Sequence, residues 1–219
     1  MQKINLIKHQ AFLITVSIAL FIYLLGLEFI NPLNQDWLNS GDLSMYQIGW
    51  QYFRNDIWRF PLGLNPNFGI YAGGSVVFSD TIPILAIFFK IFNKYLPSTF
   101  QYFSIWILLC IYLQLFFSFK IIFKITDDLL YSLIGSLFFC FATIFITRSG
   151  IHLSLTAQWL ILFGIYIEIL ETKYKSIIRG FAIILSCTIH FYFTIILTIF
   201  NFIIHFFSII NKKKNLYKI

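Results

Sequence analysis

The sequence predicts an all-α membrane protein of about six transmembrane helices, and three observations carry that expectation. Of 219 residues, 59% are hydrophobic and only 11% charged, against roughly 25% charged residues in soluble domains. A soluble fold could not hide that much apolar surface. The apolar residues, rich in Phe, gather in runs near the roughly 20 residues that a helix needs to cross a bilayer core of about 30 Å. The basic residues stand in short clusters between these runs, as lysines that orient membrane helices do. The net charge of +7 therefore reads as topology, and nucleic acid is not expected as a partner. Cys110, Cys140 and Cys187 each sit inside an apolar run without CxxC or Cys/His spacing. They read as packing residues rather than a disulfide framework or a zinc site.

The first apolar run covers about residues 11–30. It lacks a small-residue cleavage site and is long for a signal peptide, so it counts as a span. Residues 31–80 turn polar and rich in Pro, Gly and Asn. The run Thr81–Leu96 is short and carries Pro83, Lys90 and Lys94. Further spans are expected at about 100–123, 129–147, 155–170, 177–189 and 192–210, all within one membrane domain.

Whether Thr81–Leu96 crosses decides every later orientation, and the distribution of Lys and Arg arbitrates. If it does not cross, Lys3, Lys8, Lys120, Lys124, Lys173, Lys175, Arg179, Lys212, Lys213, Lys214 and Lys218 share the cytoplasmic side. Only Arg54, Arg59, Lys90, Lys94 and Arg148 then lie outside. A crossing would split the clusters at Lys120/Lys124 and Lys173–Arg179. Six spans with both ends in the cytoplasm follow, with residues 31–97 as an outer loop holding juxtamembrane helices; a seventh crossing with the C-terminus outside is the alternative.

Within that loop Leu43, Tyr46, Trp50, Phe53 and Ile57 recur at spacings of three and four, the stripe of an amphipathic helix. With Trp50, Tyr52 and Trp58 suited to headgroups, this helix is expected flat on the outer leaflet. Asp42 stands immediately before it, where Asp serves well as an N-cap. Gly73 and Gly74 suit a plain turn, the commoner use, or a backbone approach to phosphate.

The remaining polar residues sit at membrane edges. Arg148 and His152 fall in "TRSGIHLSLTAQW", with Ser149–Gly150 suggesting a helix break between them. Ionisable groups beside spans are functional candidates, although a single Arg also snorkels to the interface. His190, in "TIHFYF", falls at an outer turn as a functional or simply hydrogen-bonded histidine. Glu168 and Glu171 are expected to be solvated or paired with Lys173 and Lys175. Asp127 and Asp128 read as a turn and helix cap.

The run "GDLSMYQIGWQYFRNDIWRFPLGLNPNFGIYAGGSVVFSDTIPILAIFFKIF", followed by "LPSTFQYFSIWILLCIYLQLFF", resembles the amino-terminal part of a family of bacterial membrane proteins of uncharacterised function. That family is similar in layout to the GT-C glycosyltransferases, which use polyprenyl-phosphate sugars. The resemblance implies a site on the outer face of the bacterial inner membrane, with membrane lipid and a polyprenyl-phosphate sugar as partners. It implies Asp42 as the catalytic carboxylate of the first outer loop, with Asp80 as a second acid. Such a carboxylate acts as general base on an acceptor hydroxyl, or orients the acceptor and a divalent metal ion. Arg148 or Arg54 would hold the departing lipid phosphate, because a guanidinium matches phosphate oxygens bidentately. His152 and His190 complete the substrate-binding set. No dense ligand cluster is visible in the sequence, so no metal site is assigned. GT-C proteins generally have more spans and often an outer carboxy-terminal domain, so the chain reads as a truncated copy, as one piece of a split protein with a missing carboxy-terminal portion or partner subunit, or as a minimal member. The alternative function is a non-enzymatic scaffold or flippase-like subunit of surface-polysaccharide assembly.

Overall fold

The computed structural model describes residues 2–69 and 73–216, with side chains described between His9 and Ile210. The side chains of Lys3, Lys8, Lys212, Lys213 and Lys214, and all of Lys218, lie outside the described residues.

The fold is all-helical apart from one pair of two-residue strands. Its axis is α4 (Phe103–Thr126), a run without Gly or Pro that is about 36 Å long at 1.5 Å per residue. The helix stops at Asp127, whose φ of 51° is left-handed. Asp128 then caps α5 (Leu129–Cys140) by accepting the Tyr131 N–H at 2.9 Å. α1 (Gln2–Leu25), α5 and α7 (Trp159–Ile169) pack around α4. α8 (Lys175–Cys187) and α9 (Phe191–Leu216) pack on each other and on α7. Cys110 and Cys140 are buried in this bundle, whereas Cys187 is exposed.

Two helices, Phe103–Thr126 and Phe191–Ile210, are long and apolar enough to cross a membrane. α5 together with α6 (Thr143–Ile151) qualifies as a third span, bent by 50° at the break between them. His9–Leu25 and Leu153–Ile169 are shorter apolar helices. Several expected boundaries move. The first helix ends at Leu25 rather than Ile30, because Gly26 takes a φ of 108° and Leu27–Ile30 tightens into a 3-10 turn. α6 runs through Ser149 and Gly150 and breaks only at His152. Glu168 pairs with Arg179 (Oε1 to Nε 2.8 Å) while Lys175 donates to its backbone carbonyl at 2.8 Å, and Glu171 is solvated, with Lys124 at 3.1 Å.

The loop between α1 and α4 folds onto the start of α4. α2 (Gly41–Asn55) buries Tyr46, Gly49, Trp50, Phe53 and Arg54. Trp50 is fully buried, lies edge-on to Tyr102 at 5.0 Å, and donates from Nε1 to the Phe100 carbonyl at 3.1 Å. The expected apolar stripe exists, but it faces protein rather than a lipid leaflet, and Ile57 falls beyond the helix end and is exposed. Tyr52 and Trp58 remain exposed. α3 (Pro83–Ile91) has nine residues, about 14 Å of helix and under half a bilayer core. Lys90 on α3 is buried, donates to the Ile57 carbonyl at 3.3 Å, and lies 4.1 Å from the Phe53 ring centroid.

Between α2 and α3, β1 (Leu64–Asn65) pairs antiparallel with β2 (Gly74–Ser75). Gly74 is thus a strand residue, and at Gly73 (φ 64°) a Cβ would approach the Pro66 Cα to 2.9 Å.

Candidate functional site

Four stretches of chain meet in a cleft of about 350 Å³ lined by Asp42, Met45, Tyr46, Val77, Phe78, Ser79, Asp80, His152 and His190. Each arrives for a local reason. Asp42 and Tyr46 stand one turn apart in the first turns of α2 and so share a face. Asp42 lies inside the helix, after the capping residue Ser40, so its carboxylate is directed outward to His152 rather than to the N-cap.

Asp80 depends on Gly49. A Cβ at Gly49 would lie 2.6 Å from the Cβ and Oγ of Ser79, so only glycine lets the loop after β2 dock on α2. The docked loop is tied by the Thr81 hydroxyl donating to the Val76 carbonyl (3.0 Å) and by the Tyr102 hydroxyl donating to the Thr81 carbonyl. Asp80 and Ile82 are left-handed, with φ of 57° and 53°. For a β-branched residue such as Ile82 that region is strained, and strain of this kind gathers at functional sites.

His152 sits at the break after α6. The following 3-10 turn, Leu153–Thr156, is held to α4 by Trp106, whose Nε1 donates to the Leu153 carbonyl at 2.7 Å. His190 lies in the turn between α8 and α9. That turn is stapled to the start of α3 by the Ile84 N–H, which donates to the Thr188 carbonyl at 2.9 Å.

Two Asp–His pairs result. His152 Nδ1 lies 3.6 Å from Asp42 Oδ2, and His190 Nε2 lies 3.4 Å from Asp80 Oδ1. His190 Nδ1 accepts the Tyr192 N–H at 3.1 Å. A nitrogen that accepts carries no proton, so the neutral ring holds its proton on Nε2 and presents it to Asp80. Burial lowers the His190 pKa; the Asp80 carboxylate opposes that shift and the neighbouring His152 adds to it. The Tyr46 hydroxyl bridges the pairs, 3.4 Å from His152 Nδ1 and facing both carboxylates. Burial first, then Asp80 and Asp42, push the phenol far above its ordinary range, so Tyr46 stays a protonated donor. Phe78, Val77 and Met45 form an exposed apolar lip.

The other sequence candidates lie elsewhere. Arg148 is one turn before His152, its carbonyl accepting the His152 N–H at 3.0 Å, and it is not a lining residue. Arg54 is buried and committed: Nε donates to Asn93 Oδ1 at 2.7 Å, and the terminal nitrogens donate to the carbonyls of Leu96, Ser98 and Phe100 at 3.2–3.3 Å. Its guanidinium closes the chain between α3 and α4 and is not free for a phosphate. In the sequence Tyr46 reads as part of the apolar stripe, although its one-turn spacing from Asp42 is a readable signal. Among the described residues, no group of three or more His, Cys, Asp and Glu side chains could hold a metal ion.

The model of the DUF6311 family, a domain of unknown function, matches residues 14–219. No curated protein matches the chain. No solved structure matches it either.

Proposed function

Since the chain belongs to the DUF6311 family, whose description assigns no activity, its own cleft must supply the function, and we propose a GT-C-like membrane glycosyltransferase. It transfers a sugar from a polyprenyl-phosphate donor at the outer face of a bacterial inner membrane. The observation that carries this reading is the convergence of Asp42 and Asp80, each paired with a histidine, in one cleft beside the start of α9.

Six crossings with both ends in the cytoplasm require His9–Leu25, α4, the bent α5–α6 pair, Leu153–Ile169, α8 and α9 all to span. By that parity Asp42, Asp80, His152 and His190 share the outer edge, where a lipid-borne phosphate lies. The short α3 supports the parity, because nine residues do not reach across.

In the reaction the acceptor hydroxyl attacks the anomeric carbon while its proton passes to Asp42, which His152 orients. The bond from that carbon to the phosphate oxygen breaks, its electron pair leaving on that oxygen as the polyprenyl phosphate departs, and the configuration inverts. Tyr46, held protonated, donates a hydrogen bond to developing negative charge. Arg148, one turn from His152, is the nearest guanidinium along the chain for the departing phosphate. One observation favours the alternative of a non-enzymatic assembly component: among the described residues, no Lys or Arg lines the cleft.

The test is transfer from a radiolabelled polyprenyl-phosphate sugar in proteoliposomes. Asp42→Asn should abolish transfer while keeping the melting temperature; full transfer by that variant would remove Asp42 from the chemistry.

A further inference from the structure

Away from the Asp–His cleft, α2 presents a second face. A cleft of about 360 Å³ is lined by Gln51, Tyr52, Asn55, Asp56 and Asn67. An adjoining one of about 470 Å³ shares Gln51 and Tyr52 and adds Asn39, Ser44 and Gln47 beside Leu38 and Ile48. Ser44, Gln47, Gln51 and Asn55 recur at three and four, so they share one side of the helix, opposite the side that carries Tyr46, Gly49 and Phe53 into the core.

The chemistry of this face is selective. Among the described residues, no Lys or Arg lines either cleft. The single carboxylate, Asp56, is neutralised by Arg59, whose Nε and a terminal nitrogen donate to its two oxygens at 2.9 and 3.2 Å. An anion would find no cation here, and a cation no free carboxylate. Several donors are already committed: Gln51 Nε2 to the Ser98 carbonyl (3.2 Å), Asn55 Nδ2 to the Gln51 carbonyl (2.9 Å), and the Ser44 hydroxyl to the Gly41 carbonyl (2.7 Å). Gln51 Oε1, Asn55 Oδ1 and Ser44 Oγ are left as acceptors, and each of the two amides keeps a second N–H. They suit a ligand that brings many hydroxyl donors. Tyr52, 48% exposed and set edge-on to Phe68, adds a flat apolar wall.

We propose that this face of α2 is a groove for a neutral, polyhydroxylated chain, an oligosaccharide. The lining runs from Asn67 back to Asn39, next to the start of α2, and Asp42 lies about 20 Å along the helix from Asn55. As the acceptor track of the transferase it rests on the reading above; as a saccharide site it stands alone.

The full chain in lipid nanodiscs, free of glycosidic detergent and of any donor lipid, is applied to immobilised neutral glucans, mannans, galactans and N-acetylglucosamine oligomers, with acidic polyuronates alongside. At least one neutral glycan should retain the protein, and Tyr52→Ala or Asn55→Ala should weaken retention by about tenfold or more without shifting the melting temperature. Retention by no neutral glycan, a preference for polyuronates, or wild-type retention by both Tyr52→Ala and Asn55→Ala would each overturn the assignment. Because no transfer is measured, a failed transferase reading would leave this result readable.

Discussion

Gly49→Ala tests how the cleft is built. The added Cβ would lie 2.6 Å from the Cβ and Oγ of Ser79 and 3.0 Å from Thr81 Cγ2, whereas ordinary contact begins at 3.4 Å. Ser79 must therefore retreat by about 0.8 Å, the gap between 2.6 and 3.4 Å. The loop cannot yield freely, because Thr81 is bonded to Val76 and to Tyr102. Overpacking of this kind costs about 1–3 kcal/mol, and each kcal/mol lowers the melting temperature of a chain this long by about 2–4 °C. Asp80 moves with Ser79. A shift of about 1 Å at a reacting group costs on the order of 100-fold in rate. Melting followed by intrinsic fluorescence, together with transfer in proteoliposomes, reads both effects. Wild-type melting would refute the packing argument, and a wild-type rate in a destabilised variant would remove Asp80 from the machinery.

Other outcomes follow from the same geometry. Arg54→Lys keeps the charge but loses the fork that serves Asn93 and three carbonyls, so stability should fall by about 1–3 kcal/mol; a chemical denaturation midpoint equal to wild type would contradict that structural role. The depressed His190 pKa means that the unfolded chain binds more protons, so its share of stability is full above the ordinary histidine value of about 6.5 and is lost as pH falls through the folded value. An NMR titration of the imidazole should place His190 below that ordinary value, and lower still in Asp80→Asn; an upward shift in that variant would reverse the assignment. Because α3 is too short to cross, a maleimide label at Pro97→Cys should react from the same side as one at Asn39→Cys, and reaction from opposite sides would defeat the six-span parity.

Much of the helical pattern is legible in the sequence, because a lipid-sized apolar run and a turn at Asp127–Asp128 leave little choice of structure. What an apolar stripe faces is not legible. Trp50 satisfies the pattern of a headgroup anchor equally well when its ring and Nε1 are buried against Tyr102 and Phe100, since lipid and protein interior are both apolar. Arg54 misleads for a related reason. The irregular chain from Asn93 to Phe100 leaves carbonyls in need of a donor, and nothing in the spacing says which cation will meet them. The helix breaks at His152, two residues past Gly150, because it tolerates Ser149 and Gly150, while His152 is pulled out to face Asp42 and Tyr46. Parity could place Asp42, Asp80, His152 and His190 on one side, but it could not say which carboxylate meets which imidazole. That pairing depends on a glycine, Gly49, whose role is visible only once Ser79 lies against it.

These remote segments close around one cleft, and paired cysteines test that closure most directly. With exposed Cys187 replaced by Ser, the pairs Asp42→Cys with His152→Cys and Asp80→Cys with His190→Cys should each be joined by a short bis-methanethiosulfonate in native membranes, as the 3.6 and 3.4 Å side-chain approaches require. Asp42→Cys with Asn201→Cys should not be joined. Failure of both cleft pairs, with each single cysteine still reactive, would contradict the cleft and the function drawn from it.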